Sequence, residues 1–295
     1  MIKMKSKDFD KIYKKMPQEQ KEMLEEFRAS NPYKELDING TRWRYISCGQ
    51  GSKTLLFLPG GFTKADMWFY SILALEKDYR IITPDDHVFQ GTFEMSDVCD
   101  AIVRILEDED VEKATIIGIS AGGGFAQYFI QKYPQKVEHL VISHCGIIIG
   151  EHAPELQKRL KMIKLLPFPI FMPIARKLIK KTWVFPISSK WLAFRQAYLR
   201  EMSLNINKDM FIHFIEGGIK TLRNFVFKPE VLQSWPGEIL ILGSKGEKWG
   251  MVSVEELKAR YPKAKTHIFE QGGHHTIFLF PEEYTSVIRD FLKEN

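Results

Sequence analysis

A chain of 295 residues suits one large α/β domain or two smaller units. Hydrophobic residues at 44% and charged residues at 27% exclude an intrinsically disordered chain and imply a packed core. The net charge of +5 is modest, and Cys48, Cys99 and Cys145 are too few and too scattered for a disulfide framework or a zinc site, so a reduced, cytoplasmic setting is expected.

The first residues, Met1 to Asp8, carry lysines but no apolar h-region, so a secretory signal is not expected. No apolar run is long enough to suggest a membrane-spanning helix. Residues 8–29 read as an amphipathic helix in which Phe9, Ile12, Tyr13, Met16, Met23, Leu24 and Phe27 recur at helical spacing, with Pro17 breaking it. This is a packing arm with no chemistry of its own. Thr41 to Ser47 alternates as a strand should, and Gly49-Gln50-Gly51-Ser52 is a turn. Thr54 to Leu58 is continuously apolar, as in a strand buried on both faces, and leads into Pro59-Gly60-Gly61-Phe62. A helix over 66–76 and a strand from Tyr79 to Thr83 follow. Ser96 is the expected cap of a helix in which Val98, Ala101, Ile102, Ile105 and Leu106 share one face.

The next stretch organises the chain. Ala114-Thr115-Ile116-Ile117 reads as a strand, Gly118-Ile119-Ser120-Ala121-Gly122 as a tight turn, and Gly122 to Gln127 as the start of a helix. G-x-S-x-G between a strand and a helix is the setting of a nucleophile elbow. The strained serine backbone leaves no room for a side chain two positions before or after it, and Gly118 and Gly122 meet that demand. The turn lifts the Ser120 hydroxyl above the sheet edge, beside a helix N-terminus whose free N–H groups favour negative charge.

The helix stops at Tyr133, ahead of Pro134, and Val137 to Ser143 is a further strand. The alternation lapses near Gly146 and resumes with a strand at Glu238 to Leu242, a helix capped by Ser253 with Glu256, a strand at Ala264 to Phe269 and a last helix from Pro281 to Leu292. Alternating strands and helices mean a mostly parallel sheet covered on both faces.

A serine hydroxyl needs a base within hydrogen-bond reach, and the base needs an orienting acid. His274, in Gln271-Gly272-Gly273-His274-His275 between the last strand and the last helix, is the expected base, with His275 as its rival.

With these residues the chain resembles the α/β-hydrolase superfamily. The matched features are Leu58-Pro59-Gly60-Gly61 after a strand, Gly118-Ile119-Ser120-Ala121-Gly122, and Gly273-His274 followed by Pro281-Glu282-Glu283-Tyr284. More narrowly it is similar to the maspardin-like branch, in spacing and in Ile142-Ser143-His144-Cys145-Gly146. The resemblance implies an α/β-hydrolase fold: a mostly parallel central sheet flanked by helices, with a helical cap insertion. It divides the chain into an N-terminal helical arm (1–35), a core (36–149 and 236–295) and a cap or lid (150–235). It also implies an oxyanion hole from the backbone N–H of Gly61 (or Phe62) and of Ala121.

Two positions depart from the family pattern. The common His-Gly after the third strand is Pro59-Gly60 here. The acid is expected in a Gly-x-x-Asp after the strand ending at Leu242, yet the chain reads Gly243-Ser244-Lys245-Gly246-Glu247. A loop one residue longer lets Glu247 serve as the acid; the alternatives are a solvated Glu247 and a missing or relocated acid.

Between 151 and 200 stand eleven Lys/Arg against Glu151 and Glu155, interleaved with Leu165, Leu166, Phe168, Ile170, Phe171, Met172, Trp183, Phe185, Trp191 and Phe194. This composition suits a cap whose apolar side covers the site and whose lysines face water. It also describes a face for peripheral membrane contact, but the cap is the favoured reading. Either way the pocket is expected to be apolar. Nucleic acid is a poor fit, because no binding motif accompanies the basic residues. Asp85-Asp86-His87 lacks a matching ligand cluster and reads as a polar loop, so no metal is expected, and no organic cofactor is needed. Cys145, beside His144, lacks an elbow and reads as core.

The expected activity is serine hydrolysis of a small hydrophobic carboxylic ester or thioester through an acyl-enzyme, rising as the histidine loses its proton. Haloalkane dehalogenase or epoxide hydrolase chemistry is disfavoured, because relatives of that kind have Asp where Ser120 stands. The rival expectation is a non-catalytic binding or adaptor protein on the same fold, as the maspardin resemblance and the irregular acid position suggest.

Overall fold

The structure, a computed structural model, describes residues 6–85, 94–148, 153–171, 173–174, 187–247 and 253–295. Two helices, α1 (Ser6–Tyr13) and α2 (Gln18–Ser30), precede the hairpin β1 (Lys34–Ile38) and β2 (Thr41–Cys48). There follow β3 (Thr54–Leu58), α3 (Phe69–Leu75), β4 (Arg80–Pro84), α4 (Met95–Asp108), β5 (Ala114–Ile119), α5 (Ala121–Lys132) and β6 (Val137–Ser143). The insertion then supplies α6 (Ala153–Leu165), α7 (Leu192–Asn205), α8 (Lys208–Asn224) and α9 (Pro229–Gln233). The chain closes with β7 (Ile239–Ser244), α10 (Val254–Arg260), β8 (Lys265–Phe269), α11 (Thr276–Leu279) and α12 (Pro281–Glu294).

The eight strands form one sheet in the order β1-β2-β4-β3-β5-β6-β7-β8. β1–β2 and β2–β4 are antiparallel, and every later pairing is parallel. The three strands β3, β5 and β7 are buried along their whole length. That is why their sequences are apolar rather than alternating. The period of two is still present in the packing. Leu55, Phe57, Ile117 and Ile119 face a layer built from α1, α2, α3, α7 and α12; Leu56, Leu58 and Ile116 face α4, α5 and α10.

Three sequence readings change. β1, which runs Lys34-Glu35-Leu36-Asp37-Ile38, was not legible, because an exposed edge strand is kept charged and carries no apolar run. Ser96 lies inside α4; the cap is Glu94, in a reciprocal pair with Asp97. The arm carries charge chemistry as well as apolar packing. Arg28 donates from Nε to Asp66 (2.8 Å) and pairs with Glu201 (3.0 Å), while the hydroxyls of Tyr13 and Tyr198 donate to Glu201 and Asp66. This network joins the arm, the loop after β3 and α7.

Within the insertion α6 packs along α8, whose N-terminus is capped by the Asn207 side chain (2.9 Å from Met210 N). Met172, Arg176, Lys177, Lys180, Lys181, Trp183 and Phe185 lie outside the described residues, as do Asp86, His87, Lys248 and Glu151. Among the described residues no helix is long and apolar enough to cross a membrane, and no cluster of His, Cys, Asp and Glu is placed to hold a metal ion.

Candidate active site

The parallel strands β5, β7 and β8 end at one edge of the sheet, and the loops after them carry Ser120, Glu247 and His274. Ser120 occupies the left-handed region, φ 54° and ψ −118°. A non-glycine residue stays there only when its surroundings hold it. The Ser120 N–H donates to Ser143 O at 2.9 Å, tying the elbow to the end of β6. A Cβ on Gly118 would sit 2.2 Å from Gly122 O, and one on Gly122 would sit 2.2 Å from Leu58 O. Both glycines are therefore required by the close passage of backbone past backbone.

His274 Nε2 is 3.0 Å from Ser120 Oγ, and His274 Nδ1 is 3.0 Å from Glu247 Oε2. A carboxylate accepts only, so Nδ1 carries the proton and the Nε2 lone pair faces the serine hydroxyl. The His274 and Glu247 side chains are each 11% exposed. The structure thus brings together the three residues that the sequence singled out, from loops 127 and 27 positions apart along the chain. Gly246, where an aspartate was expected, takes φ 75° and turns the chain so that Glu247 meets the histidine. Lys245 is paired with Glu270 at 2.7 Å.

Ser244 escaped sequence reasoning. Its hydroxyl donates to Gln271 O (2.9 Å) and accepts from the Gly273 N–H (3.0 Å), so it clamps the Glu247 loop to the His274 loop. A serine closing a buried strand, three positions before a candidate acid, is the signal that could have found it. Thr276 Oγ1 adds a bond to Gly273 O at 2.8 Å.

The rival base is placed elsewhere. His275 is 5% exposed, and burial, then the nearby Arg195, pushes its imidazole well below the ordinary histidine range. His144 is fully buried with φ 44°, its ring centroid 6.2 Å from that of His274. Burial, then the neighbouring His274, pulls it down to about 3. Its Nδ1 lies 2.9 Å from Ser143 Oγ, which accepts from Tyr284 OH at 2.8 Å. Cys145 is core: its thiol is pushed up to about 12 by burial and it packs against Gln127. Asp85 is buried beside Arg44 (3.7 Å) and Tyr33.

The loop Pro59-Gly60-Gly61-Phe62 crosses in front of the elbow. Gly60 N donates to Met67 Sδ (3.3 Å), and Thr63 Oγ1 donates to Gly60 O (2.7 Å). Among the described residues no hydrogen bond engages the Gly61 N–H. Ala121 opens α5, where first-turn N–H groups have no intrahelical acceptor. Phe62 (φ 60°) turns its ring onto Phe211 and Phe214 of α8, at centroid distances of 4.7 and 5.1 Å.

The model of the α/β-hydrolase-fold family matches residues 53–168. The chain is 24% identical over 270 residues to a 2-hydroxy-6-oxononadienedioate/2-hydroxy-6-oxononatrienedioate hydrolase of Pseudomonas putida, covering 88% of this chain and 93% of that protein. Shorter matches are 28% identical over 116 residues to the dihydrolipoyllysine-residue acetyltransferase component of the acetoin cleaving system of Cupriavidus necator (37% of this chain, 31% of that protein) and 32% identical over 111 residues to maspardin of Rattus norvegicus (36% and 41%). Among solved structures, a hydrolase from Pseudomonas aeruginosa superposes with TM-score 0.70 at 17% identity (88% of this chain, 98% of that one). A carboxylesterase from Bacillus subtilis superposes with TM-score 0.66 at 18% identity (93% and 97%). The chain thus has the α/β-hydrolase fold, with residues 53–168 matching that family's model and maspardin a distant relative.

Proposed function

We propose that the protein is a serine hydrolase that cleaves a hydrophobic carboxylic ester or thioester through an acyl-enzyme. The observation that carries this reading is the unbroken chain Ser120 Oγ, His274, Glu247, with both links at 3.0 Å and the serine on a strained elbow. Ser120 Oγ attacks the substrate carbonyl carbon as His274 Nε2 takes its proton. Glu247 holds the ring with Nδ1–H toward itself and balances the imidazolium that forms. The N–H groups of Gly61 and Ala121 receive the oxyanion; a donor of this kind is worth about 3–4 kcal/mol of transition-state stabilisation. His274 returns the proton to the leaving alcohol or thiol, then activates the water that releases the acid. No metal or organic cofactor enters these steps.

The substrate class is inferred from the aromatic side chains beside the loop that carries Gly61. The insertion acts as a cap whose inner face, through Phe211 and Phe214 on Phe62, is aromatic. Such a wall favours an apolar acyl or alkyl group. A second reading, hydrolysis of a carbon–carbon bond beside a ketone, is favoured by the near full-length alignment to the Pseudomonas putida hydrolase. It uses the same three residues.

The test is labelling of the purified protein with a fluorophosphonate, beside Ser120→Ala. Rapid labelling that vanishes in the variant supports the armed serine, and esters of graded chain length against a vinylogous diketone then separate the two reactions. A folded wild type that stays unlabelled overturns the enzymatic reading in favour of a binding or adaptor role.

A further inference from the structure

The outer side of the insertion is built the wrong way round for a surface that meets only water. Met162, Leu165, Phe168, Ile170 and Ile174 are 61%, 83%, 54%, 50% and 45% exposed. They fall within one short stretch, at the end of α6 and along the helical turn that starts after Pro167. Met162 and Leu165 share one face of α6. The opposite side of the same stretch is already satisfied: Phe171 is 6% exposed and packs against Ile163, Leu166 and Phe211, and Leu160 is 6% exposed. The outward apolar groups are therefore surplus to the packing of the fold. Single exposed apolar residues are ordinary, but a run of large ones on one connected element marks a contact surface.

Charge identifies what this surface meets. From Leu156 to Arg200 the sequence contains no Asp or Glu and eleven Lys/Arg, of which Arg195 is buried, Lys190 pairs with Glu282, and Arg176, Lys177, Lys180 and Lys181 lie outside the described residues. On α6 itself Lys158 and Lys161 are exposed and in no ion pair among the described residues, while Arg159 pairs with Glu155 at 3.2 Å and Lys164 with Glu216 at 2.6 Å. A second copy of this chain would bring the same cations face to face, which disfavours a symmetric contact. An anionic lipid surface matches both features: its headgroups attract the lysines, and large apolar side chains enter the boundary between headgroups and acyl chains.

We propose that α6 and the turn after Pro167 form a peripheral docking face for a bilayer bearing anionic phospholipids, with Leu165 and Phe168 as the inserting groups and Lys158 and Lys161 as the headgroup contacts. This placement does not depend on the catalytic reading. The face lies on the element that also carries Phe171 against Phe211, whose ring packs on Phe62 in the loop beside Ser120. A lipid-dissolved substrate would therefore enter close to the serine.

The experiment is flotation with vesicles of phosphatidylcholine alone and of phosphatidylcholine with phosphatidylglycerol, at low and high salt, using the full chain and its Ser120→Ala form. The expected result is capture by the anionic vesicles at low salt, weakened by high salt and weak on phosphatidylcholine. Leu165→Asp with Phe168→Asp should lower the partition coefficient on the order of 100-fold. Lys158→Glu with Lys161→Glu should lower it by about tenfold or more on anionic vesicles only. Fluorophosphonate labelling and melting temperature, both unchanged, report that these surface variants are folded. Absence of capture by anionic vesicles, or equal capture of wild type and Leu165→Asp/Phe168→Asp, overturns the proposal. So does a concentration-dependent dimer that Leu165→Asp abolishes, which would reassign the face to self-association. Capture of Ser120→Ala equal to that of wild type keeps this outcome separate from the fate of the catalytic reading.

Discussion

Two clusters of charged and hydroxyl side chains adjoin the loop after β3, and they are built on opposite plans. In Ser120–His274–Glu247 each link is a single hydrogen bond, three loops supply one residue each, and the histidine and glutamate keep 11% exposure. In the network around Arg28, Asp66 accepts from both Arg28 and Tyr198, and Glu201 accepts from both Arg28 and Tyr13. Asp66, Glu201, Tyr13 and Tyr198 are each 5% exposed or less. Burial alone would raise the Asp66 carboxyl, yet Arg28, then Lys64 and Tyr198, hold it below the usual range. The difference separates stability from turnover. A saturated buried network fixes where the arm, the loop carrying Gly61 and α7 stand relative to one another. A chain of single bonds open to solvent at one end can pass a proton along and still admit a substrate.

The sharpest way to separate the clusters is to damage the open one. Glu247→Gln keeps the shape of the side chain but lets its amide face His274 with either a donor or an acceptor, so the histidine tautomer is no longer fixed. Turnover on a soluble ester is expected to fall by about 10⁴. The melting temperature should stay within a degree or two, because a single, partly exposed hydrogen bond contributes only about 1 kcal/mol. Equal turnover in wild type and Glu247→Gln would place the acid elsewhere.

Damage to the saturated network should do the reverse. Arg28→Met removes the donor shared by two buried carboxylates and leaves Lys64 as their nearby cation. Breaking a buried ion pair costs about 3–5 kcal/mol, and Arg28 sits toward the low end of that range because its side chain keeps 24% exposure. A drop of several degrees in melting temperature should accompany fluorophosphonate labelling that, per folded molecule, changes less than in Glu247→Gln. Calorimetry beside labelling measures both. A variant that melts like wild type but labels as slowly as Glu247→Gln would move Arg28 from support to chemistry.

How much of this was legible follows the same division. The sheet was readable because Thr54–Leu58, Ala114–Ile119 and Ile239–Ser244 are buried on both faces and therefore apolar throughout. The elbow was readable because a Cβ at 118 or 122 would meet a backbone oxygen at 2.2 Å, which admits only glycine there. Edge strand β1 was not, since solvent selects its charged residues. Ser244 was missed because its work is done through backbone groups of Gln271 and Gly273, which leave no mark on residue type. The Arg28 network was missed because its members are 38 and 173 positions apart along the chain. A single arginine at helical spacing looks solvated until the fold places carboxylates beside it. Glu247 fell between these cases: its residue type was visible, but the extra loop position could be judged only once Gly246 was seen at φ 75°.

The smallest expected effect concerns the histidines that flank the site without belonging to the chain of single bonds. Burial lowers both His144 and His275. In the unfolded chain each should titrate near 6.5, whereas in the folded protein each stays neutral well below that. Between the two values the unfolded state binds protons that the native state refuses, so stability is complete above about pH 7 and falls as the pH is lowered. The slope is at most about 1.4 kcal/mol per pH unit for each group. Glu109 adds a separate loss at lower pH. Burial opposes its ionisation, but Lys34, Ser47, Tyr45 and Arg80 outweigh that and hold its carboxyl down to about 2, so its contribution is present above the ordinary carboxylate range and disappears below it. Urea midpoints measured from pH 7.5 down to 5.5, roughly spanning the ordinary histidine range, isolate the histidines. His144→Asn is the informative variant, because asparagine tolerates the φ of 44° found there and cannot take up a proton. It should be less stable than wild type at the upper pH, having lost the ring that packs against Phe269 and Tyr284, and the gap should narrow toward the lower pH. A gap that stays constant across the range would mean that His144 is protonated in the folded protein, and a second positive charge would then sit 6.2 Å from the ring of His274.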